Sequence, residues 1–340
     1  MPVSAKIDLR NSAAMDEACT RAITECKVGT VLRTPERVPA EDNGALLLTG
    51  YRVTTLKTAA QWPPFEYMAV LIGSHLESGQ IVAAPAHTPA TVAFNQPPAP
   101  QDAGEGFTGS VFRFDVADRL GSRPPTGTLC LWLIVRGEYS GPAKIKVFKP
   151  DLRPIEDPEV VKFLARWRIQ NKQKPRSADP ATVWPPEAVF GSHPSYRSRV
   201  IGPPVPAQGI SIQAPNVVID GGFTQWILSG SYRLRVARRH IVETPVCGYS
   251  TTAVVPITLV VTTNKAAGPV VLHLRLPSES PVAHSSLAPM VEGRFALNLF
   301  TMPGMWREPG TYFIYAVCGD TLSAPAVTSL TTDTTLVRAG

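Results

Sequence analysis

"GEGFTG", residues 104 to 109, carries the glycine spacing of a dinucleotide-binding turn. That chemistry needs a strand before the glycines and a helix N-terminus after them, so that backbone N–H groups and the helix dipole meet a pyrophosphate. Here a Pro-rich stretch precedes the motif and the alternating run "SVFRFDV" follows it. A flexible turn is the expectation.

The histidines do no better as a site. His75, His87, His193, His240, His273 and His284 lie far apart in sequence, with no i, i+4 pair and no carboxylate at a metal-ligand spacing. His273, inside "VVLHLRL", shares a face with Val271 and Arg275 and reads as a solvent-side or interface residue. Neither a GxSxG elbow nor a GxxxxGK loop occurs, and no linear constellation sets a nucleophile beside a base. No enzyme activity, cofactor or metal is expected. The five cysteines, Cys19, Cys26, Cys130, Cys247 and Cys318, are odd in number with no CxxC pair, and Cys130 and Cys318 fall in matching strands. Free buried thiols in a reducing compartment are the reading.

Charge carries more. The formal net charge is +6, and Lys162, Arg166, Arg168, Lys172, Lys174 and Arg176 crowd around Trp167. Such a run is either a solvated helix face or a sequence-independent contact with the phosphates of RNA. Arg233, Arg235, Arg238 and Arg239 form a second basic spot. Phe163, Trp167, Trp184 and Phe190 carry more apolar surface than a free linker exposes and are the candidate assembly contacts.

The elements that would hold these residues come twice. "LLLTGYRVTTL" (46–56) is matched by "WILSGSYRLRV" (226–236), setting Gly50 beside Gly230 and Tyr51-Arg52 beside Tyr232-Arg233. "TGTLCLWLIVRGEYSGPAKIKV" (126–147) aligns without a gap on "PGTYFIYAVCGDTLSAPAVTSL" (309–330). The two pairs keep their distance, Gly50 to Gly127 and Gly230 to Gly310 spanning 77 and 80 residues. A tandem duplication is the simplest account.

In 340 residues there is room for two cores. With 44% apolar and 18% charged residues the composition is that of a folded protein, and 34 prolines favour short strands and shaped loops over helices. Apolar runs stop far short of the roughly 18 residues a membrane span needs, and the first 26 residues hold no apolar signal core, so neither anchorage nor ordinary secretion is expected. Residues 12–26 read as a helix ended by Gly29, with Met15, Cys19, Ala22, Ile23 and Cys26 on one face. Strand-like segments follow to Lys149, among them "SVFRFDV", with Phe112, Phe114 and Val116 facing one way and Val111, Arg113 and Asp115 the other. "EDPEVVKFLARWRIQ" reads as a helix at 157–171, and 175–209 as a Pro-rich arm.

The expected fold is therefore all-β: two tandem antiparallel β-sandwiches or jelly rolls at 44–150 and 210–340. A helical lead-in occupies 1–43 and a helical, Pro-rich linker 151–209.

"TGYRV", then "FEYMAVLIGSHLESGQIVAAPAHTP" ending in a short strand at Pro85, resembles the central strands of jelly-roll coat proteins of picorna-like small RNA viruses. "LSGSYRLRV", "GTLCLWLIV" and "GTYFIYAV" are similar to further strands of that roll. The resemblance implies a two-roll capsid protein that self-assembles, with sister coat subunits and non-specific RNA as partners, in the virion or host cytoplasm. The copies are short for such a roll, and no long basic arm opens the chain. A bacterial tandem immunoglobulin-like module that binds protein or glycan through its loops is the alternative.

Overall fold

A computed structural model describes residues 12–40, 46–61, 69–86, 105–121, 124–149, 202–221, 225–246, 250–264, 268–279, 287–302 and 304–332. The chain starts with helix α1 (Ser12–Thr24), whose Met15, Cys19 and Ala22 are buried. Cys26, not Gly29, ends it. With φ +53°, Cys26 lets its own N–H reach the Ile23 carbonyl (3.0 Å) and the Lys27 N–H reach that of Ala22 (2.9 Å), the nested pair that closes a helix through a left-handed residue. Cys26 is exposed, so only Cys19 of the two lies on the packed face.

A first set of strands follows: β1 (Gly29–Arg33), β2 (Arg37–Pro39), β3 (Leu47–Thr55), β4 (Ala69–His75), β5 (Ile81–Pro85), β6 (Phe107–Asp115), β7 (Gly127–Val135) and β8 (Glu138–Phe148). Short helices α2 (Leu56–Gln61) and α3 (Val116–Leu120) follow β3 and β6. The second set comprises β9 (Gly209–Gln213), β10 (Val217–Ile219), β11 (Ile227–Arg235), β12 (Val242–Val246), β13 (Ser250–Thr263), β14 (Val270–Pro277), β15 (Met290–Asn298), β16 (Gly310–Cys318), β17 (Thr321–Leu322) and β18 (Ala326–Thr331). The stretch expected as a lead-in thus supplies two strands, β1 against β3 and β2 against β8.

Each set makes two sheets. In the first, β1-β3-β6 faces β2-β8-β7-β4-β5 across Leu48, Phe112, Phe114, Leu71, Leu131 and Ile145. In the second, β9-β11-β15 faces the sheet built on β10-β18-β16-β13 across Leu228, Tyr232, Phe295, Leu259 and Ile314. The two small-sheet centres, β3 and β11, bury alternate residues inward because side chains alternate across a strand.

The sets correspond strand for strand. Gly50 pairs with Phe112 and Gly230 with Phe295, Gly127 with Val147 and Gly310 with Leu330. Val38 and Val218 run parallel to those same last partners. Even the irregularity recurs: the β7–β8 register shifts opposite Ser140–Ala143, and β17 and β18 are separated at the matching Ser323–Pro325. One alignment changes. With Gly50 on Gly230 and no gap, Tyr51 matches Ser231 and Arg52 matches Tyr232; the repeated Tyr-Arg is a one-residue coincidence, and a one-residue slip turns each side chain to the opposite face.

The strand order, with the opening strand divided between two sheets, is that of immunoglobulin-type sandwiches. Tyr312, near the start of β16, donates its hydroxyl to the Glu308 carbonyl upstream (2.6 Å), the corner that such sandwiches use at the matching strand. Of the two architectures expected, sandwich and jelly roll, this order favours the sandwich.

"LCLWLIV" is apolar at every position because β7 is buried on both faces. Leu131 and Leu133 point into the first set, whereas Cys130, Trp132 and Ile134 point outward and meet Val260, Tyr315 and Val317 of the second. Trp132 and Tyr315, Ile134 and Val317, Ile72 and Val260 are equivalent positions, so this seam has approximate two-fold symmetry. The strands cross it head to tail: the β16–β17 turn reaches β8 through Asp320 and Lys144 (2.8 Å), and Gly137 in the β7–β8 turn lies under Phe313. The small sheets therefore lie outermost, on opposite sides. That of the first set is covered by α1, whose Cys19, Ala22 and Ile23 sit on Tyr51, Val53 and Val111.

Candidate functional site

Among the described residues, hydrogen-bonding and titratable groups concentrate at the turn between β4 and β5. β4 delivers His75 to the seam end of its sheet, and the turn is closed by the Gly79 N–H on the His75 carbonyl (2.8 Å). Ser78 donates its backbone N–H to His75 Nδ1 (3.1 Å) and sets its hydroxyl 2.8 Å from the same nitrogen. The proton is accordingly on Nε2, which donates to the Thr126 carbonyl at 3.1 Å. Glu77 turns the other way: its carboxylate accepts the Thr128 N–H (2.6 Å) and hydroxyl (3.2 Å) and lies 3.7 Å from His75 Nε2.

His240 brings the second set to this turn. Its Nε2 lies 3.1 Å from the Glu77 carbonyl and 3.2 Å from Arg239 Nε, donating to the first or accepting from the second. Two histidines distant in sequence are thus neighbours, which linear spacing did not reveal. The available signal was "GSHLESGQ" itself: a polar, glycine-containing run straight after a strand apolar on both faces.

Burial pushes the His75 imidazole below its ordinary value, more than the Glu77 charge and the Thr126 carbonyl raise it. Burial would also raise Glu77, but the Thr128 hydrogen bonds and the nearby imidazole outweigh it and hold the carboxyl low. Serine, histidine and glutamate are the types of a nucleophile–base–acid relay. Here, though, all three belong to one four-residue turn and each is engaged by backbone groups. Space is closed as well, since a Cβ on Gly127 would overlap the Glu77 carboxylate and come within 2.5 Å of His75 Nε2. The arrangement ties β4, β7 and the second set together.

Two further polar contacts are partly buried. Arg52, 5% exposed, reaches an exposed Glu138 at 3.1 Å, and the half-buried His273 sets Nδ1 3.0 Å from the Thr258 hydroxyl of the neighbouring strand. No three His, Cys, Asp or Glu side chains among the described residues converge to hold a metal ion. Cys19, Cys130 and Cys318 are free and buried, Cys130 at the seam and Cys318 in the second core. No described helix is long and apolar enough to cross a membrane.

The basic cluster Lys162, Arg166, Arg168, Lys172, Lys174 and Arg176 and the aromatic set Phe163, Trp167, Trp184 and Phe190 lie outside the described residues. So do most of the linker and arm, whose last residues re-enter at Gly202; Pro204 there accepts the Ser231 hydroxyl at 2.9 Å. Glu105 and Gly106 of "GEGFTG" lead straight into β6, a strand and not the helix a dinucleotide would need. No protein-family model matches the chain, and no curated protein matches it.

Proposed function

We propose that the chain is a non-enzymatic structural subunit that self-assembles, in its most concrete form a viral coat protein with two β-sandwiches. The supporting observation is the fate of the reactive groups: His75, Glu77 and Ser78 are engaged in holding the β4–β5 turn to β7, and His240 in fastening the second strand set to that turn. What the sandwiches leave over is surface, namely edges and outer faces suited to lateral contact. Partners in this reading are further copies, sister coat subunits and non-specific RNA, in a virion or host cytoplasm. Negative-stain microscopy and size exclusion of the purified chain test it, with megadalton particles expected and a strictly monomeric chain fatal to it. For RNA, replacing Lys172, Lys174 and Arg176 by Ser should lower the log–log salt slope by about two units, near 0.7 per lost contact. An unchanged slope removes those residues from the interface.

The strand order and the Tyr312 corner favour a second reading, a tandem immunoglobulin-like module that binds protein or glycan through its loops. It predicts a monomer or small oligomer in the same experiment.

A further inference from the structure

The two outermost faces are equivalent in backbone and opposite in chemistry. Where the first set presents Tyr51, Val53, Val111 and Phe107 to α1, the second has Ser231, Arg233, Arg294 and Met290 at the matching positions, and no described helix covers them. Gly202 and Pro204 cross only the Ser229–Ser231 end. Beyond them Arg233 is neutralised by Glu292 at 2.7 Å, and Glu279 at the β15 edge accepts the Arg294 backbone N–H. Arg235 and Arg294 remain exposed, next to a Met290 that is 40% exposed. On the far side of the molecule, the solvent ridge of α1 carries Asp16, Glu17, Thr20 and Thr24, with Glu17 held by Arg21 at 3.0 Å.

We propose that these two faces fit each other between molecules: the Arg235–Arg294 face of one copy docks on the Asp16–Glu17 ridge of a second. Charge complementarity selects the occupant. A sheet face that no described helix covers, with surplus arginine, meets a helix whose outer ridge begins with Asp16 and with Glu17, the latter already paired with Arg21, and both belong to the same chain. Because the faces point in opposite directions, the contact is head to tail. Each docked copy then offers a fresh face, so association continues to chains or closed shells rather than stopping at a dimer. The inference rests on the self-assembly reading and adds the surfaces that make the contact.

The test is sedimentation velocity of the full chain and two charge-reversed variants, R235E/R294E and D16K/E17K. The parent should form species above the monomer that shrink as salt rises, since exposed charge pairs are screened. Each variant alone should associate about tenfold more weakly or worse, like charges now facing each other. An equimolar mixture of the two should recover the parent's association, because each reversed face then finds an unlike partner. That recovery cannot come from damaged folding, and R235Q/R294Q, which removes charge without repulsion, should fall between parent and reversal. A parent that stays monomeric overturns both this contact and self-assembly. A parent that assembles while the variants assemble equally well, or whose mixture shows no recovery, overturns this contact and leaves self-assembly standing.

Discussion

Asp115 and Asn298 stand at the same point of the two strand sets and make the same two bonds. Asp115 Oδ1 accepts the Leu46 N–H (3.2 Å) and the Ala117 N–H (3.1 Å); Asn298 Oδ1 accepts the Trp226 N–H (3.1 Å) and the Phe300 N–H (3.2 Å). Each ends a strand, caps the turn after it and holds the entry of the neighbouring strand.

Replacing either by Ala should cost about 1 kcal/mol or somewhat more, the usual loss of a capping side chain. Asp115→Asn should cost much less, because Asn298 shows that an amide oxygen suffices. Chemical denaturation of the three variants checks this, and an Asn as damaging as the Ala would mean that charge, not capping, is what matters at Asp115.

Gly230 has no room for a side chain, since a Cβ there would run into the Phe295 ring directly opposite. Gly230→Ala should destabilise by roughly 1–3 kcal/mol as an overpacked core position. Adding Phe295→Leu should return part of that loss. If the double variant is simply the sum of two losses in thermal melts, the ring is not the obstacle.

Acid should weaken the β4–β5 turn in two stages. His75 has a folded-state affinity for protons below that of the free imidazole, so the unfolded chain binds the extra proton first and stability falls as pH drops below about the ordinary 6.5. Glu77 is also held low, so its contribution is intact above the ordinary 4.5 and is lost as pH falls through and below it. The melting temperature should be flat above neutrality and decline below pH 6.5, and His75→Gln should flatten the first stage. A parent and variant with the same pH profile would exclude His75 as its source.

Cys26 should react with a thiol reagent in the native state, being exposed. Burial raises the Cys19 thiol and pushes Cys130 and Cys318 up to about 12, so these should stay silent until the chain unfolds. Cys26→Ser should lower the native thiol count by one; an unchanged count would place the exposed thiol elsewhere.

The long strands were legible because their patterns are strong: alternation in "SVFRFDV" and continuous apolarity in "TLCLWLIV" map onto β6 and β7. Strands β1, β2, β9, β10 and β12 span only three to five residues, too short for a period of two to rise above chance. The gapless second match correctly gave the β7–β8 and β16–β18 registers. The first match misplaced Tyr232 by one, because similarity of letters competes with alternation and Ser231 counts as a full half-period. The His75 turn escaped for a different reason: Glu77, Thr126, Thr128 and His240 meet only once β4 and β7 pair and the seam closes.

Equal registers in both sets raise a question of self-confusion during folding. A segment such as β3 fits the backbone slot of β11 as well as its own, and chains that repeat strand patterns are prone to misassembly. Arg52 and Tyr232 tell the slots apart. Placed in the second set, β3 would carry the Arg52 guanidinium in among Leu234, Val255 and Phe295, away from Glu138; a buried charge without its partner is strongly unfavourable. Placed in the first, β11 would leave Glu138 facing a phenol where it now has a cation. This inward-facing position, buried in both sets and occupied by a cation in one and a phenol in the other, is thus an address label, sending each copy to its own slot.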